Sequence, residues 1–121
     1  MSSQLDDFLG ANSSLTSVQV ERLKLEVSLE SSGVLEAEGE NRASISGVTP
    51  GAYYRVLSQA RNNINQSLYT LLFCTRLGIV KMDNIRRLLD LIAKVPPDVA
   101  DVEANEVISL VDALVRKIVM L

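Results

Sequence analysis

The chain has 121 residues, 47% apolar and 22% charged, a globular composition large enough for one domain with a core, which excludes a disordered polyelectrolyte. It has no histidine and one cysteine, Cys74, which removes the commonest general base, an internal disulfide and a thiolate metal cage. The formal net charge is −3 but unevenly spread: residues 1–41 hold eight acids and two bases, residues 42–87 seven bases and one acid, and residues 88–121 six acids and three bases. Phosphate affinity follows local charge more than the total, so a polyanion would meet this chain at its central block.

Residues 1–14 are polar and Ser-rich and read as a flexible tail, or as a short helix with Leu5, Phe8 and Leu9 on one stripe. From Leu15 to Ser31 two periods compete. Leu23, Leu25, Val27 and Leu29 alternate with polar residues, which is a strand signal. Thr16 with Gln19 three positions on is a capping box, and the Glu, Gln, Lys, Arg and Leu content favours a helix. As a helix the segment has two apolar faces, Thr16, Val20, Leu23 and Val27 on one, Val18, Leu25 and Leu29 on the other. As a strand it needs one, and Ser31-Ser32-Gly33 offers a turn toward Leu35 and Ala37. The expectation is a helix over 16–30, with a small β-hairpin over 23–38 as the alternative; the hairpin would serve as a wing or a dimer edge. Glu36, Glu38 and Glu40 read as a solvated edge, Gly39 to Asn41 as a loop, and 42–46 as a short helix.

The stretch from Gly47 to Ile64, GVTPGAYYRVLSQARNNI, is a turn followed by a helix with its own start signal. Thr49 can cap the first orphan amides, and Pro50 takes the first helical position, where a missing N–H costs nothing. Tyr53, Leu57, Ala60 and Ile64 recur at helical spacing and form the expected buried stripe. Gly51, Tyr54, Arg55, Ser58, Arg61 and Asn62 then face outward, with two arginines and no acid. Arginine grips a phosphate or a guanine edge bidentately, so this face suits a nucleic acid.

These residues resemble the second half of a helix-turn-helix of the kind found in region 4 of bacterial sigma factors and in related response regulators. Gly47, Val48, Thr49, Pro50 and Gly51 match that family's turn. Leu57, Ser58, Ala60, Arg61 and Ile64 match its reading helix, and Ala43 its small helix-contact residue. Leu15, Thr16, Gln19, Leu23 and Leu25 are similar to its opening helix. Arg42 and Ser46 stand where the family carries aliphatic residues, and Tyr53 where it carries valine. The resemblance is close over residues 43–64, weak over 15–42 and absent after residue 64. It implies a helix laid in the major groove of double-stranded DNA.

From Ser67 to Leu77 the chain is apolar nearly all round, the signature of a helix in the middle of a domain, continuous with the preceding one. Gly78 offers a left-handed stop. Asp83 is the expected cap of the next helix, with Ile85, Leu88, Leu89 and Ile92 on its core face, and Pro96-Pro97 ends it. A last helix is expected from Pro97 or Asp98 to the terminus. Ala104, Val107, Val111, Leu114, Ile118 and Leu121 form a heptad seam, with Asn105, Ser109, Asp112 and Arg116 on the polar stripe. That seam suits either packing within the chain or a dimer interface.

No histidine pair, CxxC or Walker loop is present, so no enzyme, metal or cofactor is expected. Cys74 sits in an apolar run and reads as a structural thiol. The acidic N-terminus lacks the basic flank of a signal peptide, and the run Leu68–Val80 is short for a bilayer and contains Arg76, which points to a cytoplasmic protein with no membrane partner. The expected fold is mainly α: a helix-turn-helix-like core over 15–95, a tail at 1–14 and a C-terminal helix over 96–121. The expected function is double-stranded DNA binding as a dimeric transcriptional regulator. Thr49, Gly51, Ala52, Tyr54, Arg55, Ser58, Arg61 and Asn62 would touch DNA, and Val107, Val111, Leu114, Ile118 and Leu121 would form the homodimer. The competing expectation is a helical interaction or assembly subunit that touches no nucleic acid.

Overall fold

Side-chain caps from Ser3, Thr16 and Thr49 mark where the first three helices begin. A computed structural model describes residues 3–31, 43 and 45–121. Among these residues five helices occur in order: α1 Gln4–Ala11, α2 Ser17–Ser31, α3 Pro50–Leu77, α4 Met82–Lys94 and α5 Asp101–Ile118. The described residues hold no strand, only an isolated antiparallel bridge between Val80 and Val119. The protein is mainly α-helical.

The chain divides into two compact units. One is Ser13–Ser67; the other joins Met1–Asn12 to Leu68–Leu121. The division falls inside α3, between Ser67 and Leu68.

In the first unit the capping box forms as the sequence expects. The Gln19 N–H donates to Thr16 Oγ1 at 3.2 Å, and Gln19 Oε1 accepts from the Thr16 N–H at 3.1 Å. α2 then runs through 17–31, so the strand alternative over 23–31 is corrected to helix. The rest of that hairpin, with Glu36, Glu38 and Glu40, lies outside the described residues. The two-faced problem is resolved by burying neither apolar stripe whole. Gln19 and Leu29 are buried, Arg22, Leu23 and Glu26 half-buried, and Val18 and Val27 are left in solvent. Ala43, Ile45 and Ser46 have helical backbone, with Ala43 buried. The Val48 N–H donates to the Ala43 carbonyl at 3.1 Å across Gly47, whose φ of 77° is the left-handed value glycine adopts without strain.

In the second unit Ser3 caps α1 by accepting from the Asp6 N–H at 3.1 Å. Residues 4–11 are thus the short helix and not a tail, with Leu5 buried and Phe8 and Leu9 half-buried. α5 packs against both α1 and α4. Its buried residues are Ala104, Val111 and Ile118, which with Leu5 and Val80 form the core. The polar stripe faces out as expected, and Arg116 Nε pairs with Asp112 Oδ2 at 3.1 Å. Asp83 does not cap α4. Lys81 occupies the cap position with no side-chain bond, and Asp83 sits in the first turn, 3.8 Å from Arg86 Nη1. Leu89 faces solvent at 66% exposure, and Leu91 joins Ile85, Leu88 and Ile92 on the half-buried face instead. α5 starts at Asp101, later than Pro97 or Asp98. Beyond it the chain pairs with the 79–81 segment: the Lys81 N–H donates to the Ile118 carbonyl at 2.9 Å, and the Met120 N–H to the Ile79 carbonyl at 2.7 Å.

The apolar end of α3 is the main departure. Its composition suits the centre of a domain, yet Leu68, Tyr69, Leu72, Phe73 and Leu77 are all exposed. α5 turns its buried face to α1 and α4, so the unit covers only the side of α3 that carries Cys74 and Thr75.

Candidate nucleic-acid interface

The 50–64 segment of α3 is oriented by its start and by one buried ring. Thr49 Oγ1 accepts from the Ala52 N–H at 3.2 Å, and the Thr49 carbonyl accepts from the Tyr53 N–H at 2.9 Å. The cap read from the sequence is therefore made. Tyr53 is fully buried. Its hydroxyl donates to Glu26 Oε1 at 2.7 Å, the Arg22 guanidinium carbon lies 4.8 Å from its ring centroid, and Tyr54 meets it edge-on at 5.4 Å. About two turns on, Ala60 is fully buried, which brings the helix backbone close to its neighbours. At the far end Asn63 Nδ2 donates to the Ser14 carbonyl at 2.8 Å and to Gln19 Oε1 at 3.2 Å, while Ser14 Oγ donates to Asn63 Oδ1 at 2.7 Å. These contacts fix the rotation of the helix about its axis.

With Tyr53, Ala60 and Asn63 turned inward, the opposite face carries the expected contact residues. Thr49, Gly51, Tyr54, Arg55, Ser58, Arg61 and Asn62 are exposed, and Ala52 is half-buried. No acid lies on α3. Arg55 and Arg61 have no acidic partner among the described residues. Of the expected inner stripe, Leu57 is half-buried and Ile64 is 40% exposed, because both border a shallow groove of about 290 Å³. Leu23, Glu26, Leu57, Arg61, Ile64 and Asn65 line that groove.

The residues that set this geometry and escape an apolar-period reading are Gln19, Arg22, Glu26 and Asn63. Their signal is a polar row: Gln19, Arg22 and Glu26 recur at spacings of three and four on α2, and the buried Leu29 continues the same face. Arg22 Nε is buried and has no hydrogen-bond partner among the described residues.

The expected dimer residues divide. Val111 and Ile118 are buried inside the second unit, Val107 and Leu114 half-buried, and only Leu121 is open, at 98% exposure beyond the end of α5. The buried pair is occupied by packing within the chain, and is not a free seam. Among the described residues no group of three metal-ligating side chains gathers, and no helix is long and apolar enough to cross a membrane.

No protein-family model, no curated protein and no solved structure matches the chain. The class the fold defines is a mainly helical protein, and its function rests on the chemistry of its own side chains.

Proposed function

We propose that the protein binds double-stranded DNA as a transcriptional regulator, with the 50–64 segment of α3 in the major groove. The observation that carries this is the state of Arg55 and Arg61. Both are exposed, neither is paired with an acid among the described residues, and they share an acid-free face behind a capped turn. An arginine meant for a structural ion pair would already have a carboxylate, whereas one meant for phosphate or a guanine edge stays open. In this reading Thr49 and the first-turn amides hold a phosphate at the positive helix end. Ala52, Tyr54, Arg55 and Ser58 face the base edges, and Arg61 and Asn62 reach the flanking backbone.

Fluorescence anisotropy against random-sequence duplex at two salt concentrations tests this. The expected result is salt-sensitive binding whose slope falls by about one unit in Arg61→Ala. Arg55→Ala should cost about 1–3 kcal/mol on a selected sequence and relax the preference at one base step. Unchanged affinity in both folded variants removes the DNA reading.

A second reading has its own observation. A helical subunit that assembles with other protein and touches no nucleic acid is favoured by the uncovered apolar end of α3. Duplex binding below detection, together with association in solution, would select it.

A further inference from the structure

We propose that a second copy of this chain covers the 68–77 end of α3, two such ends crossing about a two-fold axis near Leu72 and Phe73. This goes beyond the DNA reading and stands without it. Exposure is 55% at Leu68, 73% at Tyr69, 61% at Leu72, 64% at Phe73 and 57% at Leu77. At 100° per residue these five fall within half of the helix circumference. They make two adjacent rows at i+4 spacing, Leu68 with Leu72 and Tyr69 with Phe73 and Leu77. Rows of that kind interdigitate with identical rows on another helix, the commonest way two helices pack.

Area and charge select the occupant. The aromatic pair contributes roughly two thirds of the ~150–250 Å² that each such side chain can bury. With the three leucines the face offers on the order of 500 Å² per copy, and twice that in a two-fold pair reaches the ~1,000 Å² a specific interface needs. A face built for an oppositely charged partner would carry a charged rim. Here Arg76 is the only charge between Gln66 and Val80; it projects within the face, between the Leu72 and Tyr69 rows, and the uncharged Thr70 and Thr75 form the two edges. In an antiparallel crossing near Leu72 the two Arg76 side chains lie toward opposite ends of the contact, so identical copies meet without repulsion.

Sedimentation equilibrium of the full chain tests this, with Leu72→Glu/Phe73→Glu as the disrupting variant and Leu110→Glu, on an exposed position of α5, as the control. The expected result is a dimer at micromolar concentration for the parent chain and the control, and a monomer for the double variant with its helical circular dichroism retained. A softer pair, Leu72→Ser/Phe73→Ser, removes apolar area without adding charge and should weaken the dimer at least tenfold. A parent chain that stays monomeric at about 100 μM overturns the proposal. So does a dimer that survives both double variants, or one that dissociates only on addition of Leu110→Glu, which would move the interface to α5.

Discussion

Thr49 and Tyr53 both orient the proposed reading face, by different means. Thr49 satisfies an amide that would otherwise lack a partner, and the Thr49–Ala52 bond is at the surface. Thr49→Ala should therefore cost about 1 kcal/mol, and Thr49→Ser should stay near the parent, as read by urea denaturation. Tyr53 is buried, and its hydroxyl shares a half-buried carboxylate with other contacts of Glu26. Tyr53→Phe keeps the ring and its cation contact with Arg22 but takes one donor from Glu26. It should cost about 1–3 kcal/mol, more than the cap. Equal or smaller loss in Tyr53→Phe would mean that water replaces the hydroxyl and that the ring alone positions the helix.

At the scale of elements, the two glycines of the turn should respond with opposite signs. Gly47 has a φ of 77°, where a Cβ costs about 1–2 kcal/mol whatever space surrounds it. Gly51 lies inside α3 with nothing within 4 Å of an added Cβ. Gly47→Ala should lower the melting temperature, and Gly51→Ala should raise stability by up to about 1 kcal/mol through the smaller entropy of the unfolded chain. Both results come from the same thermal melt. A neutral Gly47→Ala would show that the turn before α3 relaxes without consequence, and the geometry of the reading face would lose its anchor. α2 gives the complementary lesson. Its capping box is local, and Thr16 with Gln19 names it from sequence. Its buried face is not local, because Arg22 and Glu26 turn inward to meet Tyr53, which is distant in sequence.

Across the whole molecule, apolar residues are divided between a small core and an uncovered surface. Val111 is 4% exposed and Leu110 is 50% exposed, one residue apart on α5. A carboxylate at Val111 is desolvated with no partner, so Val111→Asp should lose the cooperative thermal transition of the second unit, a cost of several kcal/mol. Leu110→Asp should change the midpoint little. This pair separates folding from association: had the heptad seam been an open interface, Val111→Asp would yield a folded monomer. Measuring circular dichroism and sedimentation on the same sample distinguishes the two outcomes.

Sequence alone determined what depends on near neighbours. The mainly helical class, the Thr49 cap, the left-handed Gly78, the end of α4 before Pro96 and the outward arginines of α3 all depend on residues within one or two turns of each other. Burial depended on partners distant in sequence, and there the reading changed. Residues 23–31 alternate like a strand, and they fold as the helix expected over 16–30; the capping box starts it, and Tyr53 and Asn63 give its polar row something to bind. Leu89 has the same local pattern as Leu88, and only the positions of neighbouring elements exclude it from the core. The run from Leu68 to Leu77 is apolar enough for a domain centre, but α5 has one buried face and turns it to α1 and α4. Hydrophobic periodicity names the sides of a helix that can be buried, and the tertiary structure decides which side is reached, because covering it requires another surface of the right shape within range.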